Sequence, residues 1–532
     1  QTTLRLDVAP SSVKAARQIV PKRIKIMTLR SAIFSTTSLV FFATSGSADV
    51  SAKDIWTDWQ SYMAGFGYAV EGQETMSGNT LTISGLKMSV PMPEGQGEFA
   101  MNLDKVDFVE NGDGTVNLVF PEVMPVFFEA AGPEGEAVKG SLDYTMQNMN
   151  MRASGDLSKV IYDYTADQIG IVLTELAVEG ETMPEGALNV SFTSRNLSGQ
   201  SVMEPGALRK IAQNMALGAT TYAVTFKDPS SDDGVNFSGE MASLNFSGDS
   251  FLPASMDPEN VANALADGFA VDGDISYSGS KTTFSFTDGG DTMNGSSGAE
   301  TATIGVKMNK DLLEYAGSSK GVNFNLNGAE IPLPIVAGLG EVAFNLLIPV
   351  AKSDTPSDFA FGLTLADFVT SNDLWSMLDA GNVLPRDPVT ISLDLVGKAK
   401  MLFDFFDPEQ MAAVETGDAV PAELTAITLR NLLVSAAGAK LSGTGNFTFD
   451  NNDLESYDGF PKPTGGVDFA LVGGNGLMDK LVQMGLLPQE QAMGARMMMG
   501  LFTRPGEGDD SLTTKIEINE EGHILANGQR IQ

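Results

Sequence analysis

Apolar and polar residues alternate with a period of two along most of this chain, and that pattern limits its possible folds most. In "TLTISGLKMSVPM", Leu81 and Ile83 fall on one face. After Gly85 the phase slips by one, and Leu86 and Met88 begin the next apolar row. Because successive side chains of a strand point to opposite faces, the pattern predicts strands with one apolar face. A glycine at the phase slip predicts a β-bulge or bend.

The alternation recurs for hundreds of residues, in segments such as "VNFSGEMASLNFSG", "DISYSGSKTTFSFT" and "VTISLDLVGKA". Turns rich in Gly, Asn, Asp and Pro join these segments, as expected for antiparallel hairpins. The sequence therefore predicts a mainly β fold: an elongated, twisted antiparallel sheet, or several such sheets, with several short helices as a minor α+β component.

Short helices are predicted between the strands. "AKDIWTDWQSYMAGFGYAV" places Trp56, Trp59 and Met63 on one face of a helix that packs on the sheet, or alternatively lies on a membrane surface. Asp or Asn stands near the start of several further segments, as helix N-caps prefer. These predicted helices are "DPENVANALADGF", "KDLLEYA", "NDLWSMLDAG", "DPEQMAAVETG" and "NGLMDKLVQMG".

The start of the chain predicts export. From Met27 it reads "MTLRSAIFSTTSLVFFATSGSADVSA", with a positive residue at Arg30, an apolar run from Ala32 to Ala43, and small residues before Ala48. This is the pattern of a secretory signal peptide, and the run is too short for a comfortable membrane span. We expect a periplasmic protein with a cleaved signal. The alternative is an uncleaved N-terminal anchor.

The domain organisation follows from length and from this signal. At 532 residues the chain is too long for one ordinary compact domain, yet it has no obvious linker. We expect 1–26 to be an upstream segment from a misplaced start and 27–48 the signal peptide. Residues 49–300 would form an N-terminal β-rich half and 301–532 a C-terminal β-rich half, unless both make one continuous elongated domain.

Charge and cysteine content limit the partners. Asp and Glu number 68 against 33 Lys and Arg, a net charge of −35, which repels phosphate backbones and excludes nucleic-acid binding. The chain has no cysteine, so disulfides and thiolate metal sites are impossible. The expected partners are a lipid or another envelope component. We expect that the protein itself is not an integral membrane protein, and its oligomeric state stays open.

Candidate catalytic residues are scarce. The single histidine, His523, follows Gly522 in "NEEGHIL", where glycine suits the positive φ of a tight hairpin turn. We expect His523 to be an exposed bystander beside that turn. In "GGNGLMDK" (473–480), Asp479 stands where a dinucleotide fingerprint needs its third glycine, so a glycine turn into a helix is predicted.

The acidic turns "KDPSSDDGVN" and "FDNNDLESYDG" do not match a calcium loop and are predicted to be solvated. A carboxylate pair for glycan hydrolysis stays an alternative, but nothing distinguishes one pair. We therefore name no catalytic, cofactor-binding or metal-ligating residue, and expect no cofactor.

Methionine is concentrated in "MQNMNMRA" (146–153) and "EQAMGARMMMGLF" (490–502). Such flexible side chains fill irregular cores and also line adaptable apolar surfaces. Core filling is the favoured interpretation, and an apolar groove is the alternative.

One stretch carries a family resemblance. "NDLWSMLDAGNVLPRDPVTISLDLVGKAK" (372–400) resembles an exported bacterial family catalogued as domain of unknown function 2125. The later segments "GGVDFALVGGNGLMDKLVQMG" and "TTKIEINEEGHILANGQRI" fit the same pattern of strands, glycine turn, short helix and closing hairpin. The resemblance implies no activity, cofactor or site residue. More loosely, the layout is similar to AsmA-type envelope proteins, whose sheet grooves are thought to handle lipids, and this likeness is at fold level only.

The sequence thus favours a non-enzymatic periplasmic envelope protein that binds an apolar ligand or lipid along a β-sheet groove. The alternatives are a structural or protein-binding envelope module without ligand, and a carboxylate-dependent glycan hydrolase.

Overall fold

A computed structural model describes residues 49–91, 97–131, 136–254, 261–416 and 420–532. The predicted upstream segment and signal peptide, residues 1–48, lie outside the described residues. Within the described ranges the chain forms six helices and 27 strands. The helices are α1 Ala52–Gly65, α2 Val261–Ala266, α3 Asn372–Leu378, α4 Pro408–Glu415, α5 Gly474–Gln483 and α6 Gln489–Phe502.

The strands of the N-terminal part are β1 Ala69–Ser77, β2 Thr80–Pro91, β3 Gly97–Glu110, β4 Val116–Val119, β5 Val123–Ala131, β6 Ala137–Gln147, β7 Asn150–Asp156, β8 Lys159–Val178, β9 Glu181–Thr182, β10 Leu188–Glu204, β11 Leu208–Leu217, β12 Thr220–Lys227, β13 Gly234–Met241 and β14 Ser243–Pro253. The later strands are β15 Ala270–Asp288, β16 Asp291–Met308, β17 Leu312–Gly328, β18 Ile335–Pro349, β19 Ser357–Thr370, β20 Val389–Met401, β21 Ala422–Ala436, β22 Ala439–Asp450, β23 Lys462–Val472, β24 Arg504–Pro505, β25 Ser511–Ile518, β26 Ile524–Ala526 and β27 Gln529–Arg530.

All these strands belong to one antiparallel sheet that follows the chain from edge to edge. From β1 the order is β2, β3, then β4 and β5 end to end, β7 and β6 end to end, β8, and β10. Next come β11 and β12 end to end, β14 and β13 end to end, and β15. Strands β15 to β23 then pair in chain order and are followed by β25, which holds β24 and β26, and by β27. Strand β9 pairs with the end of β8. The predicted mainly β, antiparallel fold is confirmed.

A line of kinks, here called the seam, crosses the strands near their middles. Left-handed residues interrupt the long strands at Gly85, Asn196, Gly279, Gly321 and Asp367, with φ between +54° and +61°. Where two strands lie end to end, the gap between them falls on the same line. Gly218, between β11 and β12, is an example: an ideal Cβ on it would lie 3.3 Å from the Asn196 side chain. The seam divides most of the sheet into two arms.

Gly85 forms the bulge predicted from the sequence. Between the pairs Glu71–Lys87 and Gln73–Ser84, β1 has one residue and β2 has two. The extra residue shifts the alternation, so that Leu81 and Leu86 are both buried on the same side of the sheet. The seam therefore keeps the apolar side chains of both arms on one face.

Most predicted helices are confirmed, and one is wrong. The predicted helix at 310–316, "KDLLEYA", is the start of β17: Leu313 pairs with Met308 on one side and Ile348 on the other. Ladder hydrogen bonds on both edges override the helix-like spacing of its leucines. Helix α6 has no predicted counterpart, and Pro488 at its N-cap supplies no side-chain hydrogen bond that would have marked its start.

Residue 300, the boundary expected between two halves, lies inside β16. Hydrogen-bonded pairing continues across it to β15 and β17, because both neighbours are long strands in register with β16. None of the helices in the described ranges is long and apolar enough to span a membrane.

Candidate functional site: an apolar stripe along the sheet

One face of the sheet carries an apolar row from its first strand to β25. Residues directly opposite in antiparallel strands point to the same face, so the pairing defines the row. Its nineteen members, here called the central row, are Met76, Leu81, Phe108, Leu118, Met151, Tyr164, Gly199, Met215, Phe246, Ile275, Ile304, Gly317, Phe344, Leu363, Leu393, Leu432, Gly443, Phe469 and Thr514. At 4.7–4.9 Å per strand the row is about 85 Å long.

Two parallel rows of the same face widen it, and we call the three together the apolar stripe. On one side lie Leu244, Tyr277, Ala302, Ser319, Val342, Leu365, Ile391, Val434, Leu441, Leu471 and Leu512. On the other lie Gly248, Gly273, Val306, Tyr315, Leu346, Phe361, Leu395, Leu429, Gly445, Val467 and Ile516.

The opposite face is polar at the same level. One residue along from the central row, register pairing connects Arg152, Asp163, Gln200, Asn214, Ser247 and Asp274 in succession. Further along, Asn345, Asp394 and Asn431 continue that polar row. The sheet therefore has one apolar and one polar face over its length.

Burial divides the stripe into a covered part and an open part. Leu81, Phe108 and Leu118, at the N-terminal end of the central row, are almost completely buried. From Met215 to Phe469 the apolar side chains of the row are only half-buried or exposed. The difference coincides with helix α1, which packs on the first part.

Helix α1 begins with a capping box, in which the Ser51 hydroxyl accepts the Asp54 backbone N–H and the Asp54 carboxylate accepts the Ser51 N–H. Its indole groups bind the sheet: Trp56 Nε1 donates to Glu74 of β1 at 2.9 Å, and Trp59 Nε1 donates to the Tyr162 hydroxyl of β8 at 3.0 Å. The Lys53 ammonium, and after it the Trp56 indole, hold the pKa of Glu74 below its usual range.

The contacts of α1 show that the sheet curls around it. Trp56 binds Glu74 on β1, and Asp58, two residues later, binds Arg209 on β11. Seven strand-to-strand steps separate β1 from β11, about 34 Å along the sheet. Two residues of a helix advance only about 3 Å along its axis. The apolar face is therefore on the inside of a curve, and α1 lies within it.

A cavity of about 260 Å³ opens where α1 ends. Trp59, Tyr62 and Met63 of the helix line it, and the sheet contributes Met151, Tyr162, Tyr164, Ser201 and Met203. Burial raises the pKa of the Tyr62 and Tyr162 hydroxyls, as expected in an apolar site.

A second cavity of about 230 Å³ follows on the stripe and is lined by Phe246, Ile275, Ile304 and Val306, among others. Gln213 connects the two, because it lines the second cavity and donates to the Tyr164 hydroxyl of the first at 3.2 Å. Two facing glycines form the floor of the second cavity. A Cβ on Gly248 would lie 2.8 Å from the Gly273 Cα. The missing side chains leave a depression in the apolar wall.

His523 lies in the predicted hairpin turn, with φ of +84° at Gly522. Its backbone N–H donates to Asn519 Oδ1 at 2.9 Å. Half-buried, it is less exposed than expected, because the Tyr457 hydroxyl donates to the Gly522 carbonyl and brings another loop against the turn. The turn is far along the chain from the stripe's cavities, and the prediction of a bystander stays a prediction.

The glycine turn at 473–480 begins helix α5, as predicted, with φ of +74° at Gly473. The Asp510 carboxylate already occupies the helix start and accepts the backbone N–H groups of Asn475 and Gly476 at 3.1 and 2.8 Å. In the acidic turns, Asp228 and Asp453 accept hydrogen bonds from the Ser230 and Ser456 backbones. Among the described residues no cluster of three or more potential metal ligands occurs.

Two carboxylates lie opposite each other on the polar face, Asp249 on β14 and Asp272 on β15. Each is bound to a lysine: Lys210 to Asp249 at 3.7 Å and Lys307 to Asp272 at 2.6 Å. These are cross-strand ion pairs of an ordinary kind. Sequence reasoning did not distinguish this pair from the other acidic residues.

The methionine segments differ from each other. Met146 is buried, and Met149 and Met151 pack against the main core, so core filling is right for the first segment. In α6, Met493 and Met497 are 64% and 66% exposed. Core filling is wrong for them, because the helix packs through its other side, with Ala492 fully buried.

Residues 269–525 match the sequence model of a family described as an uncharacterized protein conserved in bacteria, DUF2125. The match covers 257 of the 532 residues, and this part of the chain is similar to that family. The DUF2125 region begins beside the first residue of β15 and ends within β26, so it contains the uncovered part of the stripe from Ile275 onward.

Searches of curated proteins and of solved structures found no match to the chain. The looser likeness of the DUF2125 region to AsmA-type envelope proteins stays a prediction.

Proposed function

We propose that this protein is a non-enzymatic binding protein that holds an acyl-chain lipid along the apolar stripe. The observation that carries the proposal is the half-exposed state of the stripe beyond α1. From Met215 to Thr514 three rows cover about 50 by 14 Å, a footprint on the order of 700 Å². Apolar patches of several hundred Å² that stay exposed on a soluble protein mark interaction sites.

The shape and composition of the stripe suit an acyl chain. It is long, narrow and lined by Phe, Leu, Ile and Val, with glycines that lower its floor at Gly248 and Gly273. The partial exposure of the stripe's side chains favours a protein that binds an apolar molecule over a structural module whose apolar face is fully buried by its own residues. The glycan hydrolase alternative has less support, since the facing pair Asp249 and Asp272 is engaged with lysines.

Binding of cis-parinaric acid, a fluorescent 18-carbon fatty acid, tests the proposal. Ile275→Asp puts a charge on the stripe at a side chain that is 42% exposed, so it should cost little stability. We expect the dissociation constant of cis-parinaric acid to be at least about tenfold higher for Ile275→Asp than for the wild type, because a charge in an apolar site disfavours an acyl chain. Ser276→Asp puts the same charge on the polar face and is the matched control. Equal binding by the wild type and both variants would contradict the proposal. So would the absence of saturable binding to all three proteins.

We also propose that the protein is exported and acts in the periplasm, as the segment from Met27 to Ala48 supports. The intact mass of the protein from fractionated cells tests this. A periplasmic chain beginning near Asp49 is the expected result, and a chain retained in the cytoplasm would contradict it.

A further inference from the structure

We propose that the cavity at the end of α1 is a pocket for the methyl terminus of the acyl chain, and that α1 is the end-stop of the stripe. The inference rests on the proposed function and adds a direction to it. The chain would enter with its methyl end toward α1 and its polar end toward the DUF2125 region.

Helix α1 occupies the stripe in the way a ligand would. Trp59 lies over the central row, 5.6 Å from the Phe108 ring, and is stacked on Phe120 at 6.0 Å. Beneath it the row is buried, and beyond it the row is half-exposed. The same apolar face thus has a helix on its first strands and open space on the next ones. The cavity lies at the point where the cover ends.

The cavity offers no cation to an anionic head group. All eight side chains that line it are neutral. Its polar groups are neutral hydroxyls, and two of them accept hydrogen bonds, Tyr162 from Trp59 and Tyr164 from Gln213. The neighbouring cation, Arg209, is bound by both oxygens of Asp58. A carboxylate or phosphate would lose its hydration here without a cation in return.

The volume indicates that only part of a ligand fits. Pockets that enclose a drug-sized molecule measure about 300–1,000 Å³. The 260 Å³ at α1 is below that range, and Gln213 connects it to the next cavity on the stripe. A chain that ends in the first cavity would therefore continue over Phe246 and Ile275.

Quenching of Trp59 by brominated fatty acids tests the inference, because a bromine atom quenches an indole on contact. We compare 16-bromohexadecanoic acid, labelled at the methyl end, with 2-bromohexadecanoic acid, labelled beside the carboxylate. The wild-type protein should be quenched several times more strongly by the first probe, and Trp59→Phe should remove that difference. Trp56 and Trp375 also emit in the wild type, so the signal of Trp59 is the part of the quenching that Trp59→Phe removes.

A second reporter separates this inference from the proposed function. Phe344→Trp in the Trp59→Phe background places an indole in the middle of the open stripe. If this reporter is quenched while Trp59 of the wild type is quenched by neither probe, the end-stop is wrong but the stripe remains a lipid site. The same holds if the 2-bromo acid quenches Trp59 more strongly than the 16-bromo acid does. If neither reporter is quenched by either probe, both proposals are wrong.

Discussion

Asp58 of α1 and Arg209 of β11 form a two-pronged salt bridge, with oxygen–nitrogen distances of 2.6 and 2.9 Å, although 151 residues separate them in the chain. Arg209 also lies over the Tyr62 ring, 5.2 Å from its centroid. This salt bridge connects the middle of α1 to β11, which is seven strands away from the edge strand β1. It is therefore a principal tie between the helix and the curled sheet.

Asp58→Ala should lower the free energy of unfolding by about 3 kcal/mol, because it leaves the Arg209 charge, 9% exposed, without its partner. Asp58→Ala combined with Arg209→Met should recover most of that loss, since an apolar side chain needs no counter-ion. Urea unfolding of both variants checks this. If the double variant is as unstable as the single one, the salt bridge is not what holds α1.

Gly321→Val should lower the free energy of unfolding by about 1–3 kcal/mol, because φ of +61° strains a β-branched residue. A Cβ there would also lie 2.6 Å from the Glu300 side chain. Gly494→Ala is the control: in α6 nothing lies within 4 Å of the added Cβ. It should stabilise by about 0.5–1 kcal/mol, the helix preference for alanine. Equal effects of the two variants on urea unfolding would argue against a strained seam.

Asp379 should make stability depend on pH. The backbone N–H of Val383, and then that of Leu384, hold the pKa of this buried carboxyl below its usual value, although burial opposes them. The folded pKa thus lies below the roughly 3.9 of an unfolded chain. Its stabilising contribution is complete above that pH and is lost as pH falls through the folded value.

The stability difference between wild type and Asp379→Asn should therefore be largest near neutral pH and shrink below about pH 4. Urea unfolding across that range measures it, and Asp354→Asn, at an exposed turn, is the matched control. A difference that stays constant with pH would mean that the carboxylate charge is not the stabilising feature.

Peroxide should oxidise Met493 and Met497 several times faster than Met124 and Met146. Oxidation of methionine follows exposure, and the first two are 64% and 66% exposed while the others are 8% and 5%. Peptide mass spectrometry over a time course measures the rates. Similar rates at all four positions would contradict the packing of α6 described above.

The sequence predicted the strands because the alternation of each one is local. It also predicted the bulge at Gly85, since a glycine and a phase slip coincide there. It did not predict the seam as a line, because Asn196, Gly279 and Asp367 come into alignment only through strand pairing. The helix predicted at 310–316 failed for the same reason, as Leu313 is held by β16 and β18, which are not visible locally.

The sequence predicted that an apolar face exists, but not which residues form the candidate site. Alternation indicated an apolar face, but the central row depends on register: Phe344 and Leu363 become neighbours only through the pairing of β18 with β19. The cavity at α1 was not predictable, although Trp59 and Met63 were assigned to the packing face. Their partners Tyr164 and Met203 lie more than 100 residues away in the chain, and nothing in the sequence connects them.

Mass spectrometry of an organic extract of the protein, purified without detergent from the cells that make it, tests most directly whether the stripe holds a lipid. We expect an acyl lipid at close to one molecule per chain, absent from a control protein prepared in the same way and strongly reduced in Ile275→Asp. An extract without amphiphile, from protein whose stripe also fails to bind cis-parinaric acid, would contradict the claim that the stripe holds a lipid.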